Sequence, residues 1–138
     1  MFAHPRCLLP MAVGAAAVWM PAATRVFAFD DKDFCIAAQQ LALAANNDVG
    51  LWIDRTTRNG GMTVACDARR IEFKRFSYAP SSSMTESWKE LKSAEWNATH
   101  CNNPIWSEAI RGGWQIALTV TTADGSSASI SAQCQVKK

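Results

Sequence analysis

Hydrophobic and polar residues follow two different periods in the first half of the chain. Residues 33 to 45, DFCIAAQQLALAA, place apolar side chains at helical spacing, which predicts a helix with one buried face. Residues 49 to 54, VGLWID, alternate instead, which predicts a strand whose core face carries Val49, Leu51 and Ile53. RNGG at 58 to 61 predicts a hairpin turn, and MTVAC at 62 to 66 predicts the returning strand.

Basic and apolar residues are interleaved in ARRIEFKRF, residues 68 to 76. Ile71 and Phe73 share one face of a predicted strand, and charged residues occupy the other face. The alternation slips at Arg75, where a bulge is predicted to keep two later aromatic side chains on the core side, those of Phe76 and Tyr78. The stretch therefore predicts a half-buried strand with a charged outer face.

The second half of the chain predicts two helices and a hairpin. Ser83 and Glu86 have the spacing of a capping box, which predicts the start of a second helix. PIWSEAIR at 104 to 111 predicts a short third helix that ends at a glycine pair. Residues 114 to 136 then alternate on both sides of Asp124 and Gly125, which predicts a hairpin with a two-residue turn.

Together these elements predict an α+β domain whose helices pack on one face of an antiparallel sheet. A helix followed by a hairpin is expected in each half of the domain. That repetition suggests a helix-hairpin pseudo-duplication in which the architecture recurs while the residues differ.

The first 28 residues have the pattern of a secretory signal peptide. A weakly basic opening, MFAHPR, precedes a stretch of apolar and small residues that ends in VFA, immediately before the acidic FDDKDF. The apolar run is too short for a spanning helix, and Pro10 and Pro21 interrupt it. We therefore expect cleavage after Ala28, a periplasmic or secreted location, and one mature domain of residues 29 to 138 without stable membrane insertion.

Four evenly spaced cysteines remain in the expected mature chain: Cys35, Cys66, Cys101 and Cys134. They include no CxxC pair for zinc or thiol exchange, and an even number in a small exported domain predicts disulfides. Three pairings are open. We favour the sequential one, Cys35 with Cys66 and Cys101 with Cys134, because each pair would bracket one helix and hairpin. Each closed loop would stabilise the fold by about 3.5 kcal/mol in the chain-entropy model.

Charge argues against a nucleic-acid partner. Without residues 1 to 28, which contain two arginines and no acidic residue, 12 basic and 12 acidic residues remain. Phosphate binding requires a domain-wide positive excess, so nucleic acid is not expected. The bases are nevertheless concentrated between residues 55 and 75, and a basic face for an acidic partner is a second interpretation of the charged strand. Its candidate residues are Arg69, Arg70, Lys74 and Arg75.

Tryptophan is unusually frequent, with five in residues 29 to 138. Most are expected to pack in the core of a thin two-layer domain. Exposed tryptophans, however, are preferred anchors for binding partners. Trp52 is a candidate because alternation along the predicted strand places it on the face opposite to Leu51 and Ile53. Trp106 is a candidate because it lies on a short connecting helix.

The sequence indicates no catalytic motif, metal site or cofactor. His100 is the only histidine of residues 29 to 138, which excludes a histidine-based metal cluster. One enzymatic alternative is a small secreted ribonuclease-like hydrolase that uses Glu72, His100 and the neighbouring arginines. That alternative requires Glu72 and His100 to converge on one substrate atom.

The favoured interpretation is a small, exported, non-catalytic binding or accessory module. A disulfide-linked framework, more tryptophans than the core requires and an uneven charge distribution suit a module whose partner is another protein. Two versions remain open: a component of an envelope complex and an inhibitor of an exported enzyme. The sequence does not determine the oligomeric state.

The signal-peptide pattern gives the first testable prediction. If residues 1 to 28 are a signal peptide, protein recovered from its native compartment should begin at Phe29, because the small-residue site ends at Ala28. Intact-mass analysis of that protein measures the first residue directly. A full chain of 138 residues recovered from the membrane would show that the segment is an anchor.

Overall fold

The computed structural model describes residues 29 to 135. The predicted signal peptide lies outside these residues. Three helices, four strands and one short 3-10 helix follow one another along the described chain: α1 (Asp31–Asn47), β1 (Thr57–Ala65), β2 (Arg70–Ser77), the 3-10 helix (Ser81–Ser83), α2 (Glu86–Cys101), α3 (Pro104–Arg111), β3 (Gln115–Thr122) and β4 (Ser127–Ser131).

The strands form one mixed sheet in the order β1-β2-β3-β4. The predicted α+β class is confirmed, but a wholly antiparallel sheet was wrong, because β2 and β3 pair in parallel. The chain between them passes through α2 and α3, and a helical crossover returns the next strand in the same direction. The sheet therefore consists of two antiparallel hairpins, β1-β2 and β3-β4. Their inner strands, β2 and β3, pair in parallel.

The helices cover one face of this sheet, as predicted. α1 buries Phe34, Cys35, Ala38 and Ala42, and α2 buries Trp96 and His100. These side chains pack against alternating residues of the strands, among them Met62, Ile71, Ile116, Leu118 and Ile130. We call this side the helix face and the opposite side, which carries the intervening residues, the open face.

Both disulfides follow the favoured sequential pairing. Cys35 on α1 pairs with Cys66 at the end of β1, and Cys101 at the end of α2 pairs with Cys134 after β4; the paired Cα atoms lie 5.8 and 5.3 Å apart. The first disulfide encloses only one strand of its hairpin, whereas the second encloses a whole hairpin. The order of helix then hairpin recurs in both halves, but the two covalent loops are not equivalent.

The start of α2 uses a cap other than the predicted box. Thr85, and not Ser83, is the N-cap of α2, and its hydroxyl accepts a hydrogen bond from the N–H of Trp88 (3.2 Å). Ser81–Ser83 forms the separate 3-10 turn. α3 begins as predicted, with Asn103 as N-cap before Pro104. Both helices therefore start with a side chain that satisfies free backbone N–H groups.

The RNGG stretch forms a β-bulge inside β1 and not the predicted hairpin turn. The pairing of β1 with β2 shifts between Asn59 and Gly61, so Gly60 is the extra residue. The hairpin turn lies at residues 66 to 69, where its first carbonyl accepts a hydrogen bond from its last N–H (3.0 Å). A glycine-rich sequence that permits a turn also permits a bulge, and pairing with β2 selects the bulge.

Residues 49 to 54 do not form the predicted strand. They make one isolated antiparallel bridge, between Trp52 and Arg58. The three side chains predicted to face the core are exposed, namely Val49, Leu51 and Ile53. The segment follows the end of α1 and lies along the outer edge of β1, beyond the area that the helices cover.

The predicted bulge in β2 is also wrong. The register of β2 with β3 is continuous from Arg70 to Ser77, so simple alternation holds throughout the strand. Arg75 consequently lies on the helix face with Ile71 and Phe73. The two aromatic residues that the bulge would have turned inward are exposed, Phe76 and Tyr78.

Asparagine side chains join α1 to β1. The side-chain amide of Asn46 donates to the carbonyl of Met62 (3.0 Å), and its oxygen accepts from the N–H of Met62 (2.8 Å), as a neighbouring strand would do. Asn59 donates to the carbonyl of Ala45 (2.8 Å) and accepts from the N–H of Gly61 (2.9 Å). The edge of β1 beside the bulge is thus occupied by the end of the helix.

Gly61 makes this junction sterically possible and gives a stability prediction. It has a φ of +96°, and a Cβ there would lie 2.5 Å from Oδ1 of Asn46. Gly61→Ala should therefore lower the free energy of unfolding by about 2–4 kcal/mol, from backbone strain and displaced hydrogen bonds. Gly50→Ala is the matched control, since Gly50 has a φ of +88° and no atom within 4 Å; it should cost about 1 kcal/mol. Urea unfolding that gives equal losses would contradict the close approach.

Candidate binding surface at the open corner of the sheet

Three side chains form a row across one corner of the open face. Trp52 bridges to Arg58, and Arg58 pairs with Phe76 of β2. Directly opposed residues of neighbouring strands project on the same side of a sheet. The bulge at Gly60 places Arg58 on this face. Without the extra residue, Arg58 would point to the same side of β1 as Met62, towards the helices.

Aromatic rings dominate this corner. Trp52, Phe76 and Tyr78 are 53%, 47% and 56% exposed, respectively. The ring centres of Trp52 and Tyr78 lie 5.3 Å apart, and the guanidinium carbon of Arg58 lies 4.1 Å from the centre of Trp52 and 5.4 Å from that of Tyr78. We call these four residues the aromatic corner. The guanidinium and the two rings thus contact one another as a triangle, with the cation over the Trp52 ring.

Arg58 keeps its positive charge available at this surface. Its Nε atom is buried without a hydrogen-bond partner, and within residues 29 to 135 it has no salt bridge to an acidic side chain. Lys74, two residues before Phe76, adds a second exposed base on the same face. The corner therefore presents rings with two cations beside them.

The loop before β1 fixes the position of Trp52. Asp54 accepts a hydrogen bond from the N–H of Thr56 (2.8 Å), and this bond, with further ones from Thr56 and Thr57, holds the pKa of its carboxyl below the usual value. The N–H of Ile53 donates to the carbonyl of Thr57 (2.8 Å). A tight turn thus folds residues 50 to 53 back on β1, so that Trp52 stands beside Arg58.

Only part of the predicted basic cluster lies near this corner. Lys74 is exposed on the open face near the corner, whereas Arg70 is exposed on the same face at the other end of β2, 3.5 Å from the carboxylate of Glu72. Arg69 occupies the hairpin turn at the opposite end of β2, where it pairs with Asp31 (2.5 Å) and donates to the carbonyl of Gly112 (3.1 Å). That pairing joins the turn to the start of α1, so Arg69 has a structural role.

Arg75 and Trp106 lie on the helix face. The guanidinium of Arg75 is 6.0 Å from the ring centre of Trp96, and burial lowers its pKa. Trp106 is half-buried and packs edge-on against Phe34 and His100, with ring centres 5.5 and 5.2 Å apart. The structure therefore separates these two candidates from Trp52, and their predicted role in binding stays a prediction.

The ribonuclease-like alternative lacks the convergence that it requires. His100 is 5% exposed beneath α2, where its Nδ1 lies 2.9 Å from the carbonyl of Trp96. Glu72 lies on the open face, because its neighbours Ile71 and Phe73 face the helices. The sheet itself separates the two groups, so they do not meet at one substrate atom.

Sequence reasoning missed three residues of the aromatic corner: Arg58, Phe76 and Tyr78. Arg58 was assigned to a turn, and the two rings were assigned to the core by a bulge that does not exist. Uninterrupted alternation from Ile71 would have placed both rings outside. For Arg58 no local signal was available, because its orientation depends on the register with β2.

Two further classes of site are not found in the described part of the chain. Between residues 29 and 135, no three His, Cys, Asp or Glu residues are grouped so that they could hold a metal ion. Over the same range, none of the helices has the length and apolarity that crossing a membrane demands.

No family model matches the chain, and no curated protein matches it. Among solved structures, it is similar to a protein of Pseudomonas aeruginosa described as a "putative secreted protein", with 12% identity and a TM-score of 0.55 over 72% of this chain and 90% of that one. A second is the pilotin EpsS of the Vibrio vulnificus type 2 secretion system, with 14% identity and a TM-score of 0.46 over 72% and 96%. The first likeness shows a shared fold.

His100 predicts a pH dependence of stability. Burial, with Arg75 nearby, lowers its pKa, although the hydrogen bond to Trp96 opposes the shift. The unfolded chain therefore binds a proton at a higher pH than the folded chain, and stability is lost as the pH falls through about 6.5. Urea unfolding between about pH 7.5 and pH 5 should show a decline of at most about 1.4 kcal/mol per pH unit. In His100→Gln the slope should disappear; an unchanged slope would assign it to other groups.

Proposed function

We propose that this chain is a small, exported, non-catalytic protein-binding module, and that the aromatic corner is its contact surface. The observation that carries the proposal is the corner itself, in which exposed tryptophan and tyrosine rings stack on an arginine. These three residue types are the ones most enriched among the residues that dominate the binding energy of protein interfaces.

The surroundings of the corner support a protein partner. Three further apolar side chains are exposed on the adjoining segment, Val49, Leu51 and Ile53. Exposed large apolar side chains that are close together in the chain are a feature of interaction sites. The rings supply a rigid contact area, and Arg58 and Lys74 favour a partner that carries carboxylates beside its apolar contacts.

A non-catalytic role is supported by where the reactive groups lie. The only histidine between residues 29 and 135 is buried under α2. The four residues of the aromatic corner are three rings and one cation, Arg58, and none of them is a general base. Binding energy, and not proton transfer, is what such a surface provides.

The proposed location is the periplasm or the secreted space. It rests on the signal-peptide pattern of residues 1 to 28 and on the two disulfides, since structural disulfides persist in oxidising compartments. A component of an envelope complex and an inhibitor of an exported enzyme would both use the same surface. The identity of the captured partner distinguishes the two.

Substitution of Trp52 tests this function. The exported protein, immobilised and incubated with the contents of its native compartment, should capture a specific protein partner. Trp52→Ser should weaken that partner's binding by about 30-fold or more, because it removes a central aromatic anchor. Affinity is measured by titration of the purified partner.

Leu43→Ser is the matched control, because Leu43 is an exposed apolar residue on α1, outside the aromatic corner. It should leave the affinity unchanged. Thermal unfolding should show that both variants fold. Equal binding by Trp52→Ser and the unchanged protein would reject the aromatic corner as the contact surface, and cleavage of RNA that disappears in His100→Ala would reject a non-catalytic role.

A further inference from the structure

A groove of about 520 Å³ lies between the start of α1 and the start of α3, on the helix side of the domain. Its apolar lining comes from Phe29, Phe34, Ala37, Pro104 and Ile105. This volume is within the range of sites that accept small ligands or a few side chains. None of the residues of the aromatic corner contributes to it.

The floor of the groove is closely packed. Phe34 is buried and packs against Phe29, Trp106 and Trp114, with ring centres 5.3, 5.5 and 4.8 Å apart. Trp114 in turn donates its indole N–H to the carboxylate of Asp31 (3.0 Å). A partner would therefore enter a preformed site, and binding would cost little conformational entropy of the protein.

The walls present apolar surface to solvent. Ile105 is 64% exposed although it lies in the first turn of α3, beside the buried Phe34 cluster. Ala37 is exposed on α1, and Leu41, one helical turn further, continues the apolar surface along the helix. The groove thus opens onto a strip that a protein segment can follow.

The polar lining of the groove is entirely acidic. Asp30, Asp33 and Glu108 line it, and no basic residue does. Glu108 is paired with Arg111 (2.7 Å). Within residues 29 to 135, neither Asp30 nor Asp33 has a salt-bridge partner. The remaining charge at the groove is negative, and it favours an occupant that carries positive charge.

We propose that this groove is a second docking site, which takes a protein segment with apolar side chains flanked by lysine or arginine. The apolar residues of the segment would cover Ile105 and Ala37, and its basic residues would face Asp30 and Asp33. Arginine suits these carboxylates best, because its guanidinium donates two parallel hydrogen bonds. The charge preference is opposite to that of the aromatic corner, so the two surfaces select different segments.

Panning of random linear peptides displayed on phage against the exported protein tests this site. The enriched peptides should combine apolar residues with lysine or arginine. For one synthesised enriched peptide, measured by fluorescence anisotropy, Ile105→Asp should weaken binding by about tenfold or more, because it removes the apolar wall and adds charge. Asp33→Asn should weaken binding severalfold and reduce its dependence on salt.

Leu91→Asp is the matched control for Ile105→Asp, since Leu91 is 59% exposed on α2 and does not line the groove. It should leave peptide binding unchanged. Enriched peptides that are acidic, or binding that survives both groove substitutions, would overturn the proposal. A change of molecular mass in light scattering for Ile105→Asp alone would identify a second copy of the chain as the occupant and would also overturn it.

Trp52→Ser separates this proposal from the proposed function. Peptide binding that is lost in Trp52→Ser but kept in Ile105→Asp would place the peptides at the aromatic corner, so that the groove fails while the corner stands. If peptide binding depends on Ile105 and partner capture is unchanged in Trp52→Ser, the groove stands and the aromatic corner fails.

Discussion

The hydrogen bonds between Asn46 and Met62 are the constraint on which the rest of this fold depends. The side-chain amide of Asn46 satisfies both the N–H and the carbonyl of Met62, as a strand would do. It can do so because Gly61 has no side chain and a positive φ. The bulge at Gly60 is held beside this junction, so the parity of β1 changes there. Met62 points into the core, while Arg58 points out of it.

Because the bulge reverses which side chains of β1 face the helices, the two faces of the sheet have different roles. On the helix face, rings and aliphatic side chains pack around Ile71 and Ile116, and two disulfides tie the helices to the strands. His100 is buried there, and Arg75 is half-buried, so neither lies on the open face. The open face keeps its bases near rings that are not needed for packing. Charge and aromatic surface are thereby combined at one corner and not spread along β2.

The two proposed surfaces differ in chemistry as well as in position. The aromatic corner lies at the edge of the sheet and carries a cation, whereas the groove lies between helix starts and carries carboxylates. Under the two proposals, the corner would take a segment with carboxylates and the groove a segment with basic residues.

Local patterns in the sequence predicted the helices and the hairpin around Asp124, because periodicity depends on neighbouring residues. The sequence favoured the sequential cysteine pairing but left two others open. Tertiary structure alone decided the parallel pairing of β2 with β3, the bulge at Gly60 and the exposure of Phe76 and Tyr78. Strand register is set by contacts between distant segments, and one extra residue reverses every side chain beyond it. The aromatic corner depends on such a reversal, and the groove depends on the packing of α1 beside α3, so neither could be derived from the sequence.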